Sequence, residues 1–226
     1  MALWDNEPIP AGSPHTSLID RLARGLVPVQ RLGPPLRRIL GWHLVVVIPG
    51  AGLAAVADLR GALARHAAEP DLVLAAVGSV ATAVTAAAAA ILATHPDRDS
   101  RWAFLPAPSL ALWIGASALG SSGEHGATIS LSEACACVGF ILGLSVPFAL
   151  LLVATMRRGY ALRQTLSGGL AGLAAASAAA SILGLFHPFA MALNDLALHA
   201  LAVALLSGAG AGLGRRLLRA HPWDRS

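Results

Sequence analysis

The side chains of this sequence that could do chemistry fall into two pairs. Asp195 and His199 stand four apart, which puts them on one face of a helix, where a carboxylate and an imidazole can pair, relay a proton or ligate a cation. The plainer reading has Asp195 at the outer interface, just after a short turn at His187-Pro188, and His199 hydrogen-bonded to a neighbouring helix. Cys135 and Cys137 are the two cysteines. Thiolates are soft ligands and oxidise to disulfides, so this pair could take up a regulatory metal or switch by thiol oxidation. In a helix, positions two apart point about 200° from each other and cannot chelate one ion. Chelation therefore requires the helix to begin after both cysteines; the alternative is that they are small side chains packed in an alanine-rich helix. Metalloprotease, nucleophile-elbow and phosphate-loop motifs are not found, and no paired carboxylates lie within the apolar segments. Neither an enzyme nor a resident cofactor is expected.

What must position these groups is a membrane bundle. Of 226 residues, 56% are hydrophobic and only 12% charged, with mean hydropathy +0.66; an average soluble domain has about 25% charged residues. The net charge of +4 and pI near 10.4 would suit a nucleic-acid binder. The basic residues, all arginine, instead lie between apolar blocks rather than on one face, so direct contact with nucleic acid is not expected. Crossing a hydrocarbon core of about 30 Å takes about 20 helical residues. Six runs qualify: 41–59, 71–94, 102–121, 134–155, 166–186 and 190–213. The expected fold is all-α, a polytopic membrane protein of six transmembrane helices. It divides into an N-terminal segment over 1–40, a bundle over 41–214 and a tail over 215–226. Pro49 and Pro147 should kink their helices rather than break them, and the third span is expected to start late, beyond Pro106 and Pro108.

Orientation follows from arginine placement, because segments flanking the spans on the cytoplasmic side are enriched in basic residues. Six spans place 14 of the 16 arginines on one side and leave Arg60 and Arg65 on the other, with Asp58, Glu69, Asp71, Glu124 and Glu133. Both termini are therefore expected in the cytoplasm, and Trp42 and Trp102 at the headgroup layer on that side. No cleavage pattern follows the first apolar run, so it should be retained as an anchor. Gly139/Gly143, Gly168/Gly172, Gly208/Gly212 and Gly210/Gly214 have the spacing of helix contacts, although so many glycines also produce such pairs by chance. A strong internal repeat is not visible, which disfavours transporter folds of two related halves.

Residues 1–40 offer the largest surface for a soluble partner. Ser17 with Asp20 has the form of a variant capping box, and Leu18, Ile19, Leu22 and Leu26 then recur at helical spacing away from Asp20, Arg21 and Arg24 until Pro28. About ten residues of amphipathic helix are marginal alone in water. Such a helix lies on the lipid bilayer or buries its apolar face in a partner's groove. The prolines that follow predict an extended connection to the first span.

The stretch Leu18 to Trp42 (LIDRLARGLVPVQRLGPPLRRILGW), with Arg157-Arg158-Gly159, the GGLAGLAA run from Gly168 to Ala175, and His187, resembles the NrsF-type family. These are membrane-bound negative regulators, or anti-sigma factors, of sigma-F-like extracytoplasmic-function sigma factors. The resemblance implies a six-helix protein of the bacterial inner membrane whose N-terminal segment sequesters a sigma factor and releases it on an outer-side stimulus. On that reading Leu18, Ile19, Leu22 and Leu26 dock on the sigma factor, and Arg21 and Arg24 pair with its acidic groups. The family pattern also has two separated outer cysteines. Cys135 or Cys137 matches the first, but Pro188 follows His187 where the second would stand, and the acidic residues usual beyond it are absent. Cys135, Cys137 and His187 are thus the candidate sensor residues. A small multipass transporter or channel using Asp195 and His199 is the alternative function, and a structural membrane protein without a ligand is a third.

Overall fold

The computed structural model describes residues 14–26, 33–95, 97–121, 130–157, 163–186 and 193–218, and the side chains of all of these except 14, 15, 121, 131, 134 and 193–195. The chain divides into two compact units, Met1–Leu32 and Gly33–Ser226. The described part of the first is one helix, α1 (Pro14–Arg24). The second contains α2 (Pro35–Val56), α3 (Leu59–Ala68), α4 (Pro70–Leu92), a 3-10 turn (Ser100–Phe104), α5 (Ala107–Ser121), α6 (Leu131–Arg157), α7 (Gln164–Phe186) and α8 (Leu193–Leu217). No strand occurs among the described residues.

Six segments are long and apolar enough to cross a membrane: α2, α4, the 3-10 turn joined to α5, α7, and most of α6 and α8. This is the expected number of spans. The first starts six residues before its apolar run, at Pro35, because proline has no N–H to lose at a helix's first position and its fixed φ suits the helix. Arg37 and Arg38 consequently sit on α2, not in an extended connection; Pro34, with ψ of 142°, is extended. Helices α2 and α6 run through Pro49 and Pro147, and α5 begins between Pro106 and Pro108. Helix α3 was not expected. It starts where the Asp58 carboxylate accepts the Gly61 N–H at 3.0 Å, the usual device for satisfying a first-turn donor.

Helix α7 is the most buried span and packs against α4, α6 and α8. Apart from Leu170 its buried face is small: alanines, glycines, Ser167 and Ser177. Lipid supplies little hydrophobic drive between helices, so contact there comes from close backbone approach, and two of the four glycine pairs provide it. A methyl group on Gly168 would come 2.9 Å from Gly214 Cα, and one on Gly172 would come 2.9 Å from Ser207 Cα. Gly210 and Gly214 meet the α7 backbone in the same way, in antiparallel order. Gly139, Gly143, Gly208 and Gly212 have nothing within 4 Å of such a methyl among the described residues. Outward, Leu44, Ile48, Val77, Val80, Leu150 and Leu205 are exposed, a surface suited to hydrocarbon.

Trp42 departs from its expected place. It is 1% exposed, its indole Nε1–H donates to the Phe148 carbonyl at 2.9 Å, and its ring meets that of Phe148 edge-on. A carbonyl and an aromatic ring on α6 outcompete the headgroup layer for this indole, whereas Trp102 is 43% exposed.

Candidate partner-binding and sensing sites

Helix α1 starts at Pro14, so Ser17 lies inside it and does not cap it. The first-position preference of proline, rather than a box at Ser17 and Asp20, sets the start. It ends at Arg24, short of Pro28: the Gly25 N–H bonds the Leu22 carbonyl at 3.1 Å and the Leu26 N–H bonds Ala23 at 3.3 Å, tightening the last turn. At 100° per residue, Leu18, Leu22 and Ile19 fall within one arc of about 100°, with Arg21 and then Arg24 along one edge. All three apolar side chains are exposed, Leu22 to 63%. Arg24 Nε also donates to the Asp20 carbonyl at 3.1 Å, a basic residue serving the C-terminal carbonyls. Leu26, at 78% exposure, lies beyond the helix end and extends the apolar patch as a turn residue.

The cysteines are governed by a motif the sequence reading passed over. Ser130-Leu-Ser-Glu133 forms a capping box: the Glu133 carboxylate accepts the Ser130 N–H at 2.8 Å, and the Ser130 hydroxyl accepts the Glu133 N–H at 3.3 Å. It starts α6 at Leu131, ahead of both cysteines. Cys135 and Cys137 are therefore helical, about 200° apart, and both are thiols, Cys135 exposed and Cys137 half-buried. One ion cannot be chelated by this pair. Among the described residues, no group of three or more His, Cys, Asp or Glu side chains could hold a metal. His187 lies outside the described residues.

Asp195 and His199 are one turn apart on α8; the Asp195 side chain is outside the described set. His199 is buried and borders a cavity of about 200 Å3 between α5, α7 and α8, with Leu110, Trp113, Leu173 and Val203. Apart from the imidazole, the described lining is apolar, which favours a core histidine over a solute path.

Tertiary contacts gather the arginine-bearing helix ends at one end of the bundle. Arg38 on α2 donates to the Thr155 carbonyl near the end of α6. Arg163, just before α7, donates to the Arg98 carbonyl at 3.1 Å, and Arg215 on α8 reaches the Thr165 hydroxyl at 3.3 Å. Arg60 and Arg65 are on α3, which joins the opposite helix ends.

The family model described as NrsF, negative regulator of sigma F, matches residues 22–220. That range spans α2 to α8 and includes Leu22, Arg24, Leu26, both cysteines, His187, Asp195 and His199; Leu18, Ile19 and Arg21 precede it. No curated protein and no solved structure matches the chain.

Proposed function

The chain belongs to the NrsF family of negative regulators of sigma F, and from that premise we propose that it is an anti-sigma factor that holds an extracytoplasmic-function sigma factor at the bacterial inner membrane through α1. The family is one of regulators of a sigma factor, not a known class of enzyme. The observation that carries the mechanism is the uncovered apolar arc of Leu18, Ile19 and Leu22 on a short helix in its own compact unit. An exposed arc of this kind on a helix of 11 residues suits helix-in-groove docking, where apolar anchors supply affinity and flanking charges supply orientation. Arg21 and Arg24 on its edge would meet acidic groups of the sigma factor and speed encounter. Leu26 would continue the contact past the helix end.

The gathering of arginine-bearing ends supports a cytoplasmic placement of that end, and with it of both termini, through the enrichment of basic residues on the cytoplasmic side. Sequestration then requires only that α1 cover a surface by which the sigma factor meets polymerase. Release requires a stimulus that stabilises one bundle state over another and so changes the affinity of that contact. Cys135, Cys137 and His187 are the candidates to receive it from outside, each thiol acting separately.

The test is binding of each extracytoplasmic-function sigma factor of the host bacterium to the full-length protein in lipid nanodiscs. Leu22→Asp should abolish binding and raise transcription from promoters of the sigma factor that binds. Unchanged binding and unchanged transcription would refute docking through α1.

A further inference from the structure

We propose that the bundle end opposite the clustered arginines, the end where α3 carries Arg60 and Arg65, holds a binding site for one hard divalent cation, formed by the Asp71 and Glu69 carboxylates and the Ser117 hydroxyl. The three line one small void of about 20 Å3 between the start of α4 and the last turns of α5, about the space of one water molecule or one dehydrated ion.

The carboxylates alone would need no ligand. Asp71 lies in the first turn of α4 and Glu69 immediately before the helix, where the helix dipole favours negative charge. Two further features point into the same void. Ser117 is 4% exposed and its Oγ is buried with no hydrogen-bond partner. Several hydroxyls in the spans meet their need within the helix: Thr82 donates to the Gly78 carbonyl at 2.7 Å, Ser181 to the Ser177 carbonyl at 2.7 Å and Ser207 to the Val203 carbonyl at 2.8 Å, and Ser145 donates across to the Ala175 carbonyl at 3.4 Å. Ser167 and Ser177 also lack a partner, but Ser117 is the one of the three that lines a void shared with Asp71 and Glu69. Gly120 is the second feature. A methyl group there would collide with the Asp71 carboxylate, whose Cγ lies 3.3 Å from that position, so the missing side chain is what lets Asp71 lie against the last turn of α5.

The donor set selects the ion. All three groups offer oxygen, which suits Ca2+, Mg2+ or Mn2+ over the soft metals that thiolates prefer. Two carboxylates neutralise a divalent charge, and water completes the shell, as it commonly does for both Mg2+ and Ca2+. With three protein donors the affinity should fall in the range of weak extracellular sites, about 0.1–1 mM. The site uses neither cysteine, and its occupancy can be measured without any sigma factor.

The experiment is equilibrium dialysis of radioactive Ca2+ against the full-length protein in phosphatidylcholine nanodiscs, with Mg2+ and Mn2+ as competitors. One saturable site is expected. Asp71→Asn should weaken it by about tenfold or more, and Ser117→Ala and Gly120→Ala by several-fold. Glu133→Gln, which keeps the α6 capping box, should leave it unchanged. Ser117→Ala and Gly120→Ala alter no charge, so they test the geometry even if Asp71→Asn misfolds. Absence of saturable binding up to about 10 mM of each ion, well above the range for weak sites, would overturn the proposal. So would binding that Ser117→Ala and Gly120→Ala both leave intact; the void would then hold water.

Discussion

Truncating Leu22 to alanine isolates the apolar part of the proposed sigma-factor contact. Leu22 is 63% exposed on α1, so most of its side chain remains to be desolvated by a partner. Full burial of a leucine is worth about 1.5–3 kcal/mol, and the exposed fraction scales this to about 1–2 kcal/mol. At about 1.4 kcal/mol per decade, Kd should rise roughly 5- to 30-fold. Alanine is the best helix former, so Leu22→Ala does not weaken α1 itself, and the loss reads the contact rather than the helix. Arg21→Gln, which alters an exposed charge on the edge of the arc, should cost at most about 1 kcal/mol, and less at high salt. Asp20→Asn, on the far side of the helix, should leave Kd unchanged. The measurement is fluorescence anisotropy of labelled sigma factor titrated with full-length protein in nanodiscs, at low and high salt. The reasoning fails if Leu22→Ala changes Kd less than twofold while Arg21→Gln abolishes binding, because the contact would then be electrostatic and not built on the apolar arc.

Three further outcomes test the bundle. Gly168→Ala drives a methyl into the α8 backbone and should cost about 1–3 kcal/mol; Gly139→Ala, in open space, should be neutral or gain up to about 1 kcal/mol from helix propensity. Thermal unfolding followed by circular dichroism separates the two signs. Trp42→Phe keeps an aromatic ring against Phe148 but removes the donor to its carbonyl, so the melting temperature should fall by an amount corresponding to about 0.5–1.5 kcal/mol. A single-cysteine variant retaining the exposed Cys135 should react with a membrane-impermeant maleimide in intact spheroplasts, several-fold faster than one retaining Cys137. Labelling only after lysis would reverse the proposed orientation.

The number of spans was legible because a run of about 20 apolar residues has few other uses. Their ends were less so. Apolar content says nothing of a proline start, and Pro35 carried α2 back over Arg37 and Arg38. Helix α3, with few large apolar residues, left only the weak signal of Asp58 three residues before Gly61. Contacts between distant positions were the least readable. Four glycine pairs look alike in the sequence, and which two touch depends on the face each helix turns to its neighbour. Trp42 has the residue type and position of an interfacial anchor, but its hydrogen-bond partner, Phe148, is 106 positions away.

The site residues divide along the same line between local and distant causes. The arc of α1 could be read because Leu18, Ile19 and Leu22 need only a helix to come together; the error lay in its ends, where Pro14 and Gly25 prevailed over Ser17 and Pro28. The cysteines were ambiguous only while the start of α6 was unknown. Ser130 and Glu133 decide it within four residues, and once the helix begins at Leu131 the two thiols must diverge. A local motif thus separates two residues that adjacency in the sequence seemed to pair. The reverse holds at Ser117. Nothing near it marks the hydroxyl as unusual, and its relation to Asp71 exists only because α4 and α5 pack with Gly120 between the carboxylate and the helix backbone.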